Sequence, residues 1–180
     1  MDPDAYLCQL AEIFNGISVN TPSLSAIIAI ILAGLLLLAS GFASASEIAF
    51  FSLSPSDLND IEEGNHPSDG KISNLLADSE RLLATILITN NFVNVTIIML
   101  CNFFFMNVYV FHSPLAEFLI LTVILTFLLL LFGEIMPKIY SAQKTLAFCR
   151  FSAPVIYMLR KVFAPISAVL VHSTAFLNKH

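Results

Sequence analysis

Three short clusters of oxygen-bearing residues stand inside otherwise apolar sequence. Ser40, Ser44 and Glu47 fall at i, i+4 and i+7, which is one stripe of a helix. Asn90, Asn91 and Asn94 crowd three carboxamides together, with Asn90 and Asn94 on a common face. The third cluster is Gly133-Glu134-Ile135-Met136-Pro137-Lys138. Pro137 has no N–H, so the Gly133 carbonyl, four residues back, loses its helical donor. One short motif thus offers a carboxylate and a freed backbone oxygen side by side. Hydroxyl, carboxamide, carbonyl and carboxylate oxygens are hard ligands, suited to Mg2+, Ca2+ or Na+. Zinc and copper call for His or Cys, and none stands at ligand spacing here.

Each cluster also has a purely structural reading. Gly41 and Ala45, like Ala39 and Ala43, form small-xxx-small pairs that let another helix approach, and the nearby serines can bond back to their own helix. A carboxamide can hold a neighbouring helix. Glu134 can pair with Lys138 at i+4 where a helix ends. Against this, three carboxamides inside lipid are costly unless a polar cavity satisfies them, and a helix end needs neither Gly133 nor Pro137. Nucleophilic hydrolysis is disfavoured. Ser44 and Ser46 have no His in any apolar run to activate them, because His66, His112, His172 and His180 lie in loops or the tail. No enzymatic reaction is expected. Cys8, Cys101 and Cys149 are widely spaced and odd in number, so they imply no disulfide framework.

The elements that must carry these clusters are membrane helices. Apolar residues make up 57% of the 180 residues and charged residues 12%, against about 25% charged in a soluble domain. Mean hydropathy is +0.84. A net charge of −5 argues against a nucleic-acid partner. Three stretches carry no charge: Ile13 to Ser46, Leu82 to Ala116 and Phe118 to Gly133. A helix needs about 20 apolar residues to cross the hydrocarbon. Spans are therefore expected over about 24–51, 82–110 and 115–140, with Thr21-Pro22-Ser23 starting the first and Ser113-Pro114 the third. Residues 1–23 read as a tail outside the membrane. Cleavage at Ala43-Ser44-Ala45 is not expected: no Lys or Arg precedes it, and the apolar run exceeds a signal h-region.

Orientation follows from the basic residues. Lys71 and Arg81 lie between spans one and two. Lys138, Lys144, Arg150, Arg160, Lys161 and Lys179 lie at or beyond the end of span three. The positive-inside rule puts the N-terminus outside and the C-terminus in the cytoplasm of a multi-pass protein of the cell membrane.

Between spans one and two, residues 54–80 read as a cytoplasmic helical hairpin. Ser54-Pro55-Ser56-Asp57 supplies an N-cap, a Pro at N1 and an acid at N3, Gly64-Asn65-His66-Pro67 a turn, and Ser68 to Glu80 a second helix. Its acids read mainly as a solvated face, with cation gathering as the alternative. In the tail, residues 144–180, Pro154 and Pro165 are expected to break any long helix. Arg150, Arg160 and Lys161 among apolar residues suit short helices in the inner interface.

The stretches Ser44 to Leu53, Glu80 to Asn94 and Phe132 to Lys138, in that order, resemble the transmembrane domain of the CNNM/CorC family. The resemblance implies an all-α, three-span membrane domain with a juxtamembrane helical belt, working as a homodimer in the bilayer. It implies binding and transport of Mg2+, with efflux coupled to Na+ entry. Carried onto this chain, the metal ligands fall at Ser44, Ser46, Asn90, Asn94, the Gly133 carbonyl and Glu134; the missing N–H of Pro137 and the small-residue face at Gly41 suit pivots about which the helices repack. Relatives continue into cytoplasmic CBS domains that bind nucleotide. The chain stops at His180, so these are expected in a full-length protein and no nucleotide site is assigned here. The rival expectation is a cation-sensing scaffold that anchors such a cytoplasmic region.

Overall fold

The computed structural model describes residues 18–110 and 114–165. The tail with Cys8, the loop residues 111–113 and residues 166–180 lie outside the described residues. Helix α1 (Leu24–Phe51) is the first span, N-capped by the Ser23 hydroxyl, which accepts from the Ala26 N–H. A hairpin of α2 (Pro55–Glu62) and α3 (Asp69–Leu76) follows. The second span is α4 (Ser79–Val108). The third is built from α5 (Pro114–Leu128), a π-helical segment (Leu129–Ile135) and α6 (Met136–Gln143). Helix α7 (Thr145–Val162) closes the described chain. Three helices are thus long and apolar enough to cross a membrane, and the fold is all-α apart from one minimal strand pair.

That pair is β1 (Ser18–Val19) and β2 (Tyr109–Val110), antiparallel with Ser18 opposite Val110 and Val19 opposite Tyr109. It fixes the start of span one beside the end of span two. Both points therefore lie at the end of the bundle away from the hairpin.

Span one inverts the pattern of a soluble helix. Leu24, Ile28, Ile31, Leu35 and Leu38 form one exposed stripe, whereas Ala26, Ala29, Ala33, Ser40, Ala43 and Ser44 are buried. Lipid is as apolar as leucine, so helices gain by close backbone approach, and small residues belong inside. Two apolar clusters hold the bundle. One joins Ala33, Val93, Ile97, Cys101 and Leu125 among the three spans. The other, at the hairpin end, joins Ala49 and Phe50 to Ile61, Ile72, Leu75, Leu82 and Ile86 and to Cys149, Ala153 and Ile156 of α7.

The hairpin departs from the sequence reading in two respects. The Ser54 capping box forms as expected: Asp57 accepts from the Ser54 N–H at 2.9 Å and from its hydroxyl at 2.7 Å, which holds the Asp57 carboxyl below its ordinary value. The helix expected over Ser68 to Glu80, however, stops at Leu76. Asp78 caps a new helix by accepting from the Arg81 N–H, so Glu80 and Arg81 belong to the first turn of span two, which starts at Ser79 rather than near Leu82. The acids are also not one solvated face. Asp69 is 1% exposed and takes a two-pronged ion pair from Arg150 of α7, at 2.8 and 3.1 Å, plus the His66 N–H at 2.9 Å.

The tail is corrected as well. Helix α7 runs unbroken through Pro154 for 18 residues. Cys149 and Ala153 before or beside the proline and Ile156 after it are all buried in the hairpin-end cluster, so packing on both sides holds one helix across the missing N–H. Its opposite face leaves Phe151, Val155, Met158 and Val162 exposed at i, i+4, i+7 and i+11, an apolar stripe suited to lying in a membrane interface. Burial pushes the Cys149 thiol up to about 12.

The Arg150 guanidinium holds the Asp69 carboxyl below 3.8. A depressed folded-state value means that the ionised pair stabilises the hairpin–α7 contact fully above about 3.8, and that this stabilisation is lost as pH falls through the lower folded value. Asp69→Asn should therefore melt below wild type at neutral pH, with the gap closing under acid conditions. Thermal melts across pH check this; a constant gap down to acid pH would show that the ion pair is not its source.

Candidate functional site

The polar residues of the three spans meet midway between the two apolar clusters. Along span one, Ser40 and Ser44 lie between Ala33 and Ala49. Along span two, Asn90 lies between Ile86 and Val93, with Asn94 directly after Val93 at the edge of the second cluster, and along span three Gly133 follows Leu125. Ser40 is the focus. Its Oγ stands 2.9 Å from Asn90 Oδ1 and 2.6 Å from Asn94 Oδ1, and the hydroxyl is fully buried. One hydroxyl proton serves one of these oxygens. The other is left with a spare lone pair unless its carboxamide turns to present nitrogen.

Several hydroxyls on these helices take the cheaper course of bonding four residues back. Ser46 bonds the Phe42 carbonyl at 2.7 Å, and Thr85, Thr89 and Thr96 do the same on span two. Ser40 instead reaches across to another helix. Ser44, one turn further, does neither: its Oγ is buried with no hydrogen-bond partner among the described residues. A buried hydroxyl without a partner is rare and calls for a ligand or water.

Span three approaches this place through residues without bulk. A Cβ on Gly133 would stand 3.1 Å from Ser40 Oγ. A Cβ on Gly41 would stand 3.0 Å from Pro137 Cγ and 3.3 Å from the Phe132 carbonyl oxygen. One turn on, the Ser141 hydroxyl donates to the Ala45 carbonyl at 2.6 Å, and Lys138 pairs with Glu47 at 3.0 Å. From Ser40–Gly133 through Gly41–Pro137 to Ala45–Ser141 the contacts ascend together along both helices, so spans one and three run parallel.

The π-helical segment holds Gly133 and Glu134. Its register is visible at its end, where the Met136 N–H donates to the Leu131 carbonyl, five residues back. A wide turn of this kind is the local answer to a proline that cannot donate to Gly133. Gly133 is buried and Glu134 half-buried. Lys138 is committed to Glu47 across the interface, so the i, i+4 pairing with Glu134 considered from sequence is not formed.

The sequence-assigned ligands therefore divide. Asn90, Asn94 and Gly133 converge on Ser40, Ser44 stands on the same stripe, and Glu134 adjoins Gly133. Ser46 is turned to its own helix. Asn91 is exposed on the far face of span two. Spacing alone makes Ser40 one member of a stripe, yet it is the hydroxyl that joins the asparagines. Among the described residues, no three His, Cys, Asp or Glu side chains gather as a metal group. A cation held here would rely on one carboxylate and several neutral oxygens.

Comparison with known proteins is consistent with this architecture. Residues 30–180 match the family model described as "CNNM: Cyclin M transmembrane N-terminal domain". A "UPF0053 protein" of Haemophilus influenzae (strain ATCC 51907 / DSM 11121 / KW20 / Rd) is 32% identical over 130 residues. The match takes in 72% of this chain but 30% of that relative's length.

The two approaches at glycine differ from a glycine in open space. Gly41→Val should cost about 1–3 kcal/mol, because the proline ring and a backbone carbonyl cannot easily yield. Gly34 has nothing within 4 Å of a Cβ, so Gly34→Ala should be neutral or stabilise by up to about 1 kcal/mol. Thermal melts of purified protein in detergent separate the two; equal effects would mean that span three does not abut Gly41.

Proposed function

Because the chain belongs to the CNNM family of membrane domains, we propose that it binds Mg2+ inside the bilayer and carries it across. The ligands are Ser44, Asn90, Asn94, the Gly133 carbonyl and Glu134, with Ser40 aligning the two carboxamides and Ser46 a reserve hydroxyl on the same helix. The observation that carries this reading is the unpartnered Ser44 hydroxyl beside the Ser40–Asn90–Asn94 cluster, a surplus of oxygen acceptors in a buried place.

The chemistry fits a small hard cation. Mg2+ dehydrates reluctantly and is commonly held by one or two carboxylates with waters retained. Glu134 contributes the charge, and the neutral oxygens set geometry around a partly hydrated ion. The apolar clusters on either side keep bulk water out. Passage requires the spans to repack so that one cluster opens at a time, with the Gly41–Pro137 contact as the pivot. Export of Mg2+ driven by Na+ entry, a homodimeric assembly and an N-terminus outside the cell complete the proposal.

Glu134→Gln should abolish high-affinity Mg2+ binding in calorimetry while leaving the melting temperature in the absence of Mg2+ unchanged; unaltered affinity would remove Glu134 from the site. Liposomes holding only this chain should move Mg2+, faster under an opposing Na+ gradient. Binding without flux would favour the sensing scaffold instead.

The orientation has its own test. With Cys101 and Cys149 replaced, a membrane-impermeant thiol reagent added outside intact cells should label Cys8. Protection of Cys8 until the cells are opened would invert the topology.

A further inference from the structure

A second polar feature lies outside the cation site, where α3, the start of span two and the end of α7 meet. Asn74, Arg81, Tyr157, Arg160, Lys161 and Ala164 line a pocket of about 220 Å³. Three of the chain's eight Lys and Arg residues are here, in a protein whose net charge is −5. Asp78 is the carboxylate that meets them: its Oδ2 is 3.4 Å from an Arg160 nitrogen and 3.5 Å from Arg81 Nε. Arg160 also donates to the Asn74 backbone carbonyl at 3.0 Å, with the Asn74 side-chain oxygen at 3.4 Å. Lys161 Nζ sits 4.9 Å over the Tyr157 ring. Arg81 Nε is buried and makes no hydrogen bond among the described residues. Positive charge exceeds negative, and the long 3.5 Å ion pair to Asp78 leaves the Arg81 guanidinium short of hydrogen bonds.

The position in the bilayer is set by two independent features. Arg81 is the last charge before the uncharged run Leu82 to Ala116, so it marks where span two enters hydrocarbon. Helix α7 exposes the Phe151, Val155, Met158 and Val162 stripe, which rests a helix in the interface and brings Arg160 and Lys161 to headgroup depth. We propose that this pocket binds the phosphate of an anionic phospholipid in the leaflet on the hairpin side, with Arg81, Arg160 and Lys161 as its donors. A phosphate can accept from two guanidinium groups and one ammonium at once, and the acyl chains would lie beside span two and the α7 stripe.

The test uses the whole chain in mild detergent, titrated with short-chain phosphatidylglycerol, short-chain phosphatidylcholine or inorganic phosphate, and read as a thermal shift. Phosphatidylglycerol should raise the melting temperature saturably, and the other two should not at matched concentration. The double variant Arg160→Gln/Lys161→Gln should weaken the apparent affinity on the order of tenfold. Lys71→Gln/Lys144→Gln, which removes the same charge from exposed sites outside the pocket, should leave it unchanged. Should the first double variant not fold, Lys161→Gln alone, at an exposed side chain, should still weaken binding. Equal loss in both double variants would mean diffuse attraction and overturn the proposal. A full shift with inorganic phosphate would reassign the pocket to a free anion. No shift with any of the three would overturn it.

Discussion

Everything at the centre of this bundle depends on how closely spans one and three approach. The approach exists because side chains vanish where the helices touch: Gly41 lies against Pro137, and Gly133 against Ser40. In lipid no hydrophobic effect drives apolar helices together, so contact at the backbone must do it. Once the two helices are this close, the Ser141 hydroxyl can reach the Ala45 carbonyl and Lys138 can reach Glu47. Ser40 is then caught between Gly133 and the asparagines of span two. A single added methyl group at either glycine would disturb all of these together.

The hairpin end is held by different forces. There, apolar side chains from five helices form an ordinary core, and the buried Asp69–Arg150 pair ties α3 to α7. A buried carboxylate needs every lone pair answered, and Asp69 has Arg150 twice and the His66 N–H. These contacts fix α7 against span one, the hairpin and span two, and place its apolar stripe outward. Burial is the main cause that raises the Cys149 thiol, with the Asp57 and Asp69 carboxylates adding to it against Arg150.

Much of the architecture was legible in the sequence, for physical reasons. A charge-free run longer than the bilayer is thick has few alternatives to a span, and Ser23 and Ser54 announce helix starts by chemistry confined to a few residues. The three oxygen clusters stood out because polar groups in lipid are costly. Partner choice was not legible. Sequence spacing offers only neighbours on the same helix, so the partner it suggests for Lys138 is Glu134, as the structural alternative to a ligand role, whereas the lysine crosses to Glu47. It counted Asp69 among solvated acids, because its partner lies 81 residues away. It broke α7 at Pro154, because the packing that overrides the proline comes from elements far off in the chain. The role of Ser40 was hidden for the same reason: its two carboxamide neighbours belong to another helix.

The two apolar clusters flanking the polar centre have an electrical consequence. Material of low dielectric constant carries most of a voltage drop, and water-filled or polar regions carry little. A polar centre partway along three spans would sit at an intermediate potential, neither that of one face of the membrane nor that of the other. A charge moving from it to either face crosses part of the field, at about 2.3 kcal/mol per elementary charge for each full 100 mV. If the bundle carries an ion as proposed, the part of the passage that lies within the hydrocarbon would be voltage-sensitive. The position of the clusters along the helices, more than the identity of the polar atoms, sets how that sensitivity is divided between entry and exit.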